Sequence, residues 1–330
     1  MTALAAVPTT PRRRSRLAPH GLTWSVLRLH RTALYVCGAA FVAFAATMIW
    51  MYAIGDDARA SIGACGSPGS GLPSCLEITE LTAENDTYRY VLSLATTVLA
   101  YAMFPVAAWA GGALIGRELE SGTARLAWTQ SVTPLRWLAA KLAVPALLLT
   151  AGTTAAVLLN VWARQDDNPN LVGDWYYPDV FVTTGPTAVT YVLAGLALGA
   201  LAGLVTRRAL PAAGVGFAAT LVLYNILERY REDLWPTVYR QGDSPGGLPR
   251  SALPVDNGMV LTSGERVTGS RCPMLPDSAC VKDADVAGYY STFHPRSHFW
   301  PLQLVDAGIA LAVAALATAA AFWLLRRRTP

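Results

Sequence analysis

The sequence predicts an all-α polytopic membrane protein with six transmembrane helices and both termini on the cytoplasmic side. Apolar residues make up 53% of the 330 residues and charged residues only 15%, whereas a soluble domain carries about 25% charged residues. The charges are gathered between six apolar stretches, each long enough to cross a hydrocarbon core about 30 Å thick. Basic residues also concentrate in alternate connecting segments, which fixes the expected orientation.

Residues 1–31 form a basic cytoplasmic segment that precedes the first apolar stretch. Four arginines and no acidic residue lie in residues 1–20, which is typical of a flexible tail. Leu22, Val26 and Leu29 then repeat at helical spacing. We expect a short helix that lies along the inner membrane surface, with a simple extension of the first spanning helix as the alternative.

The six predicted spans follow from the apolar stretches. Only four residues separate the fourth from the fifth, and Pro211 favours the first turn of a new helix there. Spans one to five occupy residues 32–227, an outer loop occupies 228–301, and the sixth span with a basic C-terminus occupies 302–330. The spans themselves cover residues 32–54, 90–115, 142–161, 180–205, 210–227 and 302–325.

The orientation follows from the distribution of arginine and lysine. With the N-terminus inside, the short inner segments hold fifteen basic residues and two acidic ones. The outer loops 55–89 and 162–179 hold three basic residues and ten acidic ones. This asymmetry predicts that both termini are cytoplasmic. The inner segments are 1–31, 116–141, 206–209 and 326–330.

Four cysteines form two close pairs in the predicted outer loops. Cys65 lies near Cys75, and Cys272 lies near Cys280. Neither pair has the CxxC spacing of a zinc or redox site. Outside the membrane, disulfides are the natural interpretation, with four unpaired thiols as the alternative.

Three glycines in the fourth span predict close helix packing. Gly195, Gly199 and Gly203 recur every four residues and so share one helix face. Small residues on one face let a neighbouring backbone approach closely. The sequence leaves open whether this seam moves or is static.

Several classes of function are disfavoured by what the sequence lacks. Lys141 follows Ala140 and Lys282 follows Val281, so neither lysine belongs to a Walker A motif and ATP is not expected to bind this chain.

The HPRSH segment, residues 294–298, brings two histidines to helical spacing without a third ligand nearby, so no metal site is predicted. No catalytic motif is present, and the arginine clusters beside apolar runs do not fit a nucleic-acid-binding face.

The predicted spans hold one ionisable residue, Asp306, near the outer end of the sixth. Carriers driven by an ion gradient usually need ionisable groups at membrane depth. The sequence therefore argues against such a carrier, and its Ser, Thr and Asn residues suit an amphipathic or apolar passenger.

The inner loop 116–141 has the most distinctive pattern. It opens with alternating charges at Arg117, Glu118, Glu120 and Arg125 and then becomes more apolar. This pattern predicts a short amphipathic helix with its charges available to a partner. An ordinary solvated loop is the alternative.

This loop resembles the cytoplasmic loop of ABC-2 type permeases, especially the actinobacterial drug-export type. In that family an acidic residue and a Gly-Thr pair precede a helix that docks into the ATPase subunit. Here Glu118, Glu120, Gly122 and Thr123 occupy those places. The similarity continues at Arg125, Trp128, Thr129, Gln130, Ser131, Arg136, Trp137 and Lys141, in residues 298–303 (HFWPLQ), and in the basic tail 326–328.

The resemblance implies a permease subunit of an ATP-driven exporter in the bacterial plasma membrane. It implies a separate ABC ATPase chain that carries the ATP and magnesium, and a second permease subunit, identical or paralogous. In this interpretation Glu118 and Glu120 transmit the ATPase motion, while Gly122 and Thr123 shape the helix. The main alternative is a non-transporting membrane protein that binds a ligand or partner through its outer loops.

Overall fold

The fold is a bundle of six long apolar helices with a small sheet at one end. A computed structural model describes residues 22–63, 87–130, 132–164, 172–243, 248–249, 251–269 and 285–328. Six of the described helices are long and apolar enough to cross a membrane. The predicted helical class and the number of spans are therefore confirmed. Cys65, Cys75, Cys272 and Cys280 lie outside the described residues, so both disulfides stay predictions.

The N-terminal helix and the first span are nearly continuous. Helix α1 (Leu22–Leu29) is followed at once by α2 (Arg31–Gly63), and the His30 N–H still donates to the Val26 carbonyl. The Val26 side chain is buried, and α1 packs against the third span. A helix is therefore present at the predicted place, and the first span follows it directly.

The second span runs from Thr87 to Glu120 and changes its helical form along the way. It comprises α3 (Thr87–Ala100), α4 (Met103–Trp109), a π-helical segment (Ala110–Gly116) and α5 (Arg117–Glu120). The break before α4 has a local cause, because Pro105 lacks an N–H and its ring crowds the carbonyl four residues earlier. The charges of residues 117–120 consequently extend the membrane helix instead of lying in a loop.

The third and fourth spans differ from the expected bounds. Helix α7 (Pro134–Arg164) begins before the predicted 142 and continues through Pro145; α6 (Thr123–Thr129) precedes it. The fourth span was predicted as one helix over 180–205, but it is divided into α8 (Pro178–Thr183) and α9 (Thr187–Thr206). Pro186 cannot donate a backbone hydrogen bond, so the helix stops before it and restarts after it.

Helix α9 is the centre of the bundle and is the most buried of the spans. It packs against α4, the π-helical segment, α7, α10 (Ala209–Arg229) and α11 (Phe299–Arg328). A Cβ added at Gly195 would lie 2.6 Å from the Met103 carbonyl oxygen, and one at Gly199 would overlap the Ala107 carbonyl oxygen. A Cβ at Gly203 would lie 2.8 Å from Ile115 Cβ. The three glycines thus face the second span, and their missing side chains set how closely the two helices approach.

Part of the segment 228–301 folds as a four-stranded antiparallel sheet, which the sequence did not predict. Its strands are β1 (Val238–Gly242), β2 (Leu253–Leu261), β3 (Arg266–Thr268) and β4 (Val286–His294). Their order is β1-β4-β2-β3, so the first and third strands are the edges. This sheet adds a β element to the helical membrane bundle.

Candidate functional site

The predicted cytoplasmic loop is a tight helical hairpin. Helix α5 ends at Glu120, and α6 begins at Thr123 after a reversal at Gly122. Gly122 has φ 78° with open space around it, so glycine is favoured by backbone conformation and not by packing. The Thr123 hydroxyl donates to the Glu118 carbonyl at 3.3 Å and lies 3.0 Å from the Ser121 hydroxyl. The Gly-Thr pair therefore shapes the turn.

The carboxylate of Glu118 is turned inward, against the start of the third span. Its Oε1 accepts a hydrogen bond in an ion pair with the Lys141 ammonium, and its Oε2 accepts the indole N–H of Trp137 at 3.1 Å. The Glu118 side chain is 13% exposed and that of Lys141 only 4%. The expectation that this charge is free for a partner is corrected, because both carboxylate oxygens are already engaged by α7.

His30 joins the same cluster from the N-terminal segment. The Lys141 ammonium donates to His30 Nε2 at 3.0 Å, since an ammonium cannot accept. The His30 ring also packs edge-on against Trp109, with ring centroids 5.5 Å apart. Burial first, and the positive charge of Lys141 second, lower the pKa of His30 from 6.5 to about 4. The imidazole is therefore neutral at pH 7 and acts as the acceptor for Lys141.

The carboxylate of Glu120 contacts a different span. Its Oε2 accepts the backbone N–H of Ala209, the first residue of α10, at 2.8 Å. The first N–H groups of a helix have no partner inside the helix, and the N-terminal end of the helix dipole favours a negative charge. Glu120 thus caps the fifth span from the end of the second.

The remaining predicted loop residues lie on the surface of the hairpin. Arg117, Thr123 and Arg125 are exposed. The Leu126 side chain is 59% exposed on α6, while the Trp128 ring turns back and packs edge-on against Trp137. One face of α6 is therefore anchored to the membrane helices and the other is open.

Sequence reasoning did not identify Lys141, Trp137 and His30 as site residues. A signal for Lys141 was available, because it is one of only two lysines in the chain and directly precedes an apolar span. A lysine in that place needs a counter-charge, and Glu118 and Glu120 are the only acidic residues in the predicted short inner segments. No comparable signal pointed to His30.

A second polar cluster lies at the opposite ends of the spans. The Arg164 guanidinium donates to the Val172 carbonyl at 2.7 Å and to the Thr96 hydroxyl at 3.0 Å. The Asp306 carboxylate accepts the Tyr191 hydroxyl at 2.8 Å and lies 3.6 Å from Arg231 Nε. These buried side chains tie neighbouring spans together at the predicted outer side.

The histidines of the HPRSH segment pair with each other. His294 Nδ1 lies 3.0 Å from His298 Nδ1, and His294 Nε2 lies 2.8 Å from the Glu232 carbonyl oxygen. Because a carbonyl oxygen can only accept, His294 donates from Nε2 to Glu232. Among the described residues, no group of three His, Cys, Asp or Glu residues is placed to hold a metal ion.

The glycine-packed bundle of six apolar helices with a charged hairpin at one end defines a polytopic helical membrane protein. The family model described as "ABC-2 membrane transporter related" matches residues 38–231, which is more than half of the chain. The chain belongs to this family and is an ABC-2 type permease, a membrane subunit that is not itself the ATPase. No curated protein and no solved structure gives a significant match to it.

Proposed function

We propose that this chain is the membrane-spanning subunit of an ATP-driven ABC-2 exporter in the bacterial plasma membrane. Both termini are cytoplasmic in this proposal, and a separate ABC ATPase chain binds ATP and magnesium. The observation that supports it most is that Glu118 and Glu120 contact different spans. Residues of one helical turn contact the third span and the fifth span, so a force on the hairpin reaches both.

The proposed transmission runs from α6 through α5 into the bundle. The ion pair of Glu118 with Lys141 couples the hairpin to α7, and the cap of Glu120 on Ala209 couples it to α10. The π-helical segment Ala110–Gly116 directly precedes α5. Single π-helical turns within α-helices are frequent at functional sites and local bends, and we assign this one the role of the flexible element.

The open face of α6 is the proposed contact for the ATPase subunit. Leu126 presents an exposed apolar side chain there, and Thr129, one helical turn further on, is also exposed. An apolar anchor with a polar surround is the usual composition of a protein interface. The carboxylates of Glu118 and Glu120 are engaged by α7 and α10, so we assign them to transmission and not to docking.

Two such subunits would enclose the translocation path. Only 6% of the most apolar stretch of the first span is buried inside one chain. Most of its surface is therefore left for lipid or for a second permease subunit, identical or paralogous. The expected substrate is amphipathic, such as a drug-like molecule, a peptide or a lipid-like compound, because the spans carry few ionisable residues.

The test is recovery of an ATPase with the tagged full chain from mildly solubilised membranes. We expect a P-loop ATPase in stoichiometric amount with the unmodified protein and its loss in Leu126→Asp, because the charge disrupts the apolar contact. Thr133→Asp is the matched control: it adds the same charge at the far end of the hairpin, and aspartate can replace the threonine oxygen that accepts the Arg136 N–H. Recovery of the ATPase with Leu126→Asp would contradict the docking assignment.

A binding protein without transport is the second candidate, and the sheet supports it. Strand β1 is an edge strand whose residues are all exposed, and an exposed edge can pair with an extended partner. Absence of any ATPase across several mild detergents, with capture of a partner that depends on residues 238–242, would favour this candidate.

A further inference from the structure

A cavity of about 100 Å³ opens between α6 and the inner ends of the fourth and sixth spans. One water needs only about 10–15 Å³ of such space, so the cavity is large enough for a group bigger than water. Three arginines and one tryptophan are among the residues that line it. Its lining residues are Leu119, Arg125, Trp128, Leu204, Arg207, Leu324, Leu325 and Arg328.

The charged residues that line this cavity are all basic. None of the described residues that line it is acidic. Arg328 donates one N–H to the Leu204 carbonyl at 2.6 Å, which satisfies an acceptor at the end of α9 and leaves its other donors available. Arg207 holds a positive φ of 55° at the turn between α9 and α10. Such a strained backbone is retained where the surrounding structure requires it.

Trp128 lines the cavity without offering its N–H to it. The indole N–H of Trp128 is inaccessible to solvent and has no hydrogen-bond partner among the described residues, so a ligand in the cavity does not reach it. The arginines are the donors for such a ligand, and guanidinium binds the oxygens of a phosphate in a bidentate manner.

We propose that this cavity binds the phosphate group of an anionic phospholipid. The location favours a lipid over a soluble anion, because the walls come from the ends of spanning helices and combine apolar side chains with the arginines. Basic pockets between transmembrane helices on the cytoplasmic side bind anionic headgroups, and tryptophan is enriched at this depth. The inference relies on the predicted orientation but not on the proposed export activity.

The site has a mechanical consequence. Arg125 and Trp128 belong to α6, whereas Arg207 and Arg328 belong to the ends of α9 and α11. A bound phosphate would therefore join the hairpin to two further spans, beside the links made by Glu118 and Glu120. Anionic lipid would hold the hairpin against the membrane surface.

The test is lipid binding to the purified full chain, measured by native mass spectrometry with phosphatidylglycerol and, as the zwitterionic reference, phosphatidylcholine. A basic residue near an anionic surface contributes about a fivefold gain in affinity. We therefore expect preference for phosphatidylglycerol, and a drop of about thirtyfold in its affinity in the double variant Arg125→Gln with Arg207→Gln. Arg326→Gln is the matched control, since Arg326 is exposed on the same tail and does not line the cavity.

A further variant separates ligand binding from a folding defect. The double variant with lysine in place of both arginines retains the charge but not the bidentate geometry, and it should restore part of the affinity lost in the glutamine variant with unchanged helical circular dichroism.

Three outcomes would overturn the proposal. The first is equal affinity for the two lipids. The second is an unchanged affinity for phosphatidylglycerol in the double glutamine variant. The third is competition by millimolar inorganic phosphate with the same dependence on Arg125 and Arg207, which would assign the cavity to a soluble anion. If the double glutamine variant kept its affinity for phosphatidylglycerol but no longer recovered the ATPase, these arginines would be assigned to a protein partner.

Discussion

Glu118 and Glu120 lie two residues apart on one helical turn, yet their carboxylates contact different membrane spans. Glu118 pairs with Lys141 at the start of the third span, and Glu120 accepts the first backbone N–H of the fifth. Both contacts lie on the membrane side of the hairpin. A displacement of the hairpin must therefore move or break contacts with two spans together.

The ion pair between Glu118 and Lys141 should show strong energetic coupling. Replacing Lys141 by methionine leaves a mostly buried carboxylate without its counter-charge, which costs about 3–5 kcal/mol for a buried pair. The double variant Glu118→Gln with Lys141→Met removes both charges and should recover much of that loss. The measurement is a double-mutant cycle on unfolding in detergent, and additive effects would show that the pair is not formed in solution.

The glycine seam of the fourth span should not tolerate a methyl group. In Gly199→Ala the new Cβ would overlap the Ala107 carbonyl oxygen, which belongs to backbone and cannot rotate away. Overpacking of this kind costs about 1–3 kcal/mol, and we expect the upper end here. Gly152→Ala is the matched control within a spanning helix, because nothing lies within 4 Å of its Cβ position.

Melting temperatures in detergent measure both glycine variants. The prediction is a clear fall for Gly199→Ala and little change for Gly152→Ala. Equal melting temperatures would mean that α9 and the second span separate enough to accept the methyl group.

Packing of helix α1 against α7, which we call docking of the N-terminal helix, should depend on pH through His30. The pKa of His30 is about 4 when docked, against 6.5 for the unperturbed group. The undocked state therefore binds the proton more readily between these values. Docking is fully favoured above pH 6.5 and weakens as the pH falls from 6.5 toward 4.

Hydrogen exchange of residues 24–29 measured across pH 4 to 8, with correction for the intrinsic pH dependence of exchange, tests this dependence. Protection should fall on the acidic side in the unmodified protein. His30→Gln supplies an acceptor that does not titrate, so its protection should vary less. A parallel fall in both proteins would place the titrating group elsewhere.

The number of spans could be predicted because each apolar stretch is long and bounded by charge. The break at residues 184–186 was missed because apolar residues resume directly after it, although Gly185 and Pro186 mark it. The sheet was missed because Gly, Pro and Asp residues interrupt the apolar pattern within and between its strands. Their pairing joins distant positions such as Tyr239 and Thr292, which no local pattern specifies.

The candidate site was predicted in position but not in orientation. The segment 116–141 stood out by its alternating charges, and Gly122 with Thr123 does form a turn. The direction of the Glu118 side chain depends on how far the second-span helix continues and on its rotation relative to α7. Its partner Lys141 is distant in sequence, and a pattern of charges alone cannot distinguish an internal ion pair from a surface offered to a partner.

Transmission and docking should separate in two variants of the hairpin. Glu118→Gln preserves the shape of the side chain but weakens its hold on Lys141, and the open face of α6 is untouched. We expect ATPase recovery to be retained while ATP-dependent transport into inverted vesicles or proteoliposomes is lost by at least about tenfold, the factor that corresponds to about 1.4 kcal/mol. Leu126→Asp should instead lose the ATPase itself.

Charge reversal in Glu118→Arg places two cations together and should uncouple transport while membrane insertion is retained. Normal transport by well-expressed Glu118→Gln and Glu118→Arg proteins would remove Glu118 from the transmission path and leave transmission to the Glu120 contact with Ala209 and the packing of Trp128 on Trp137.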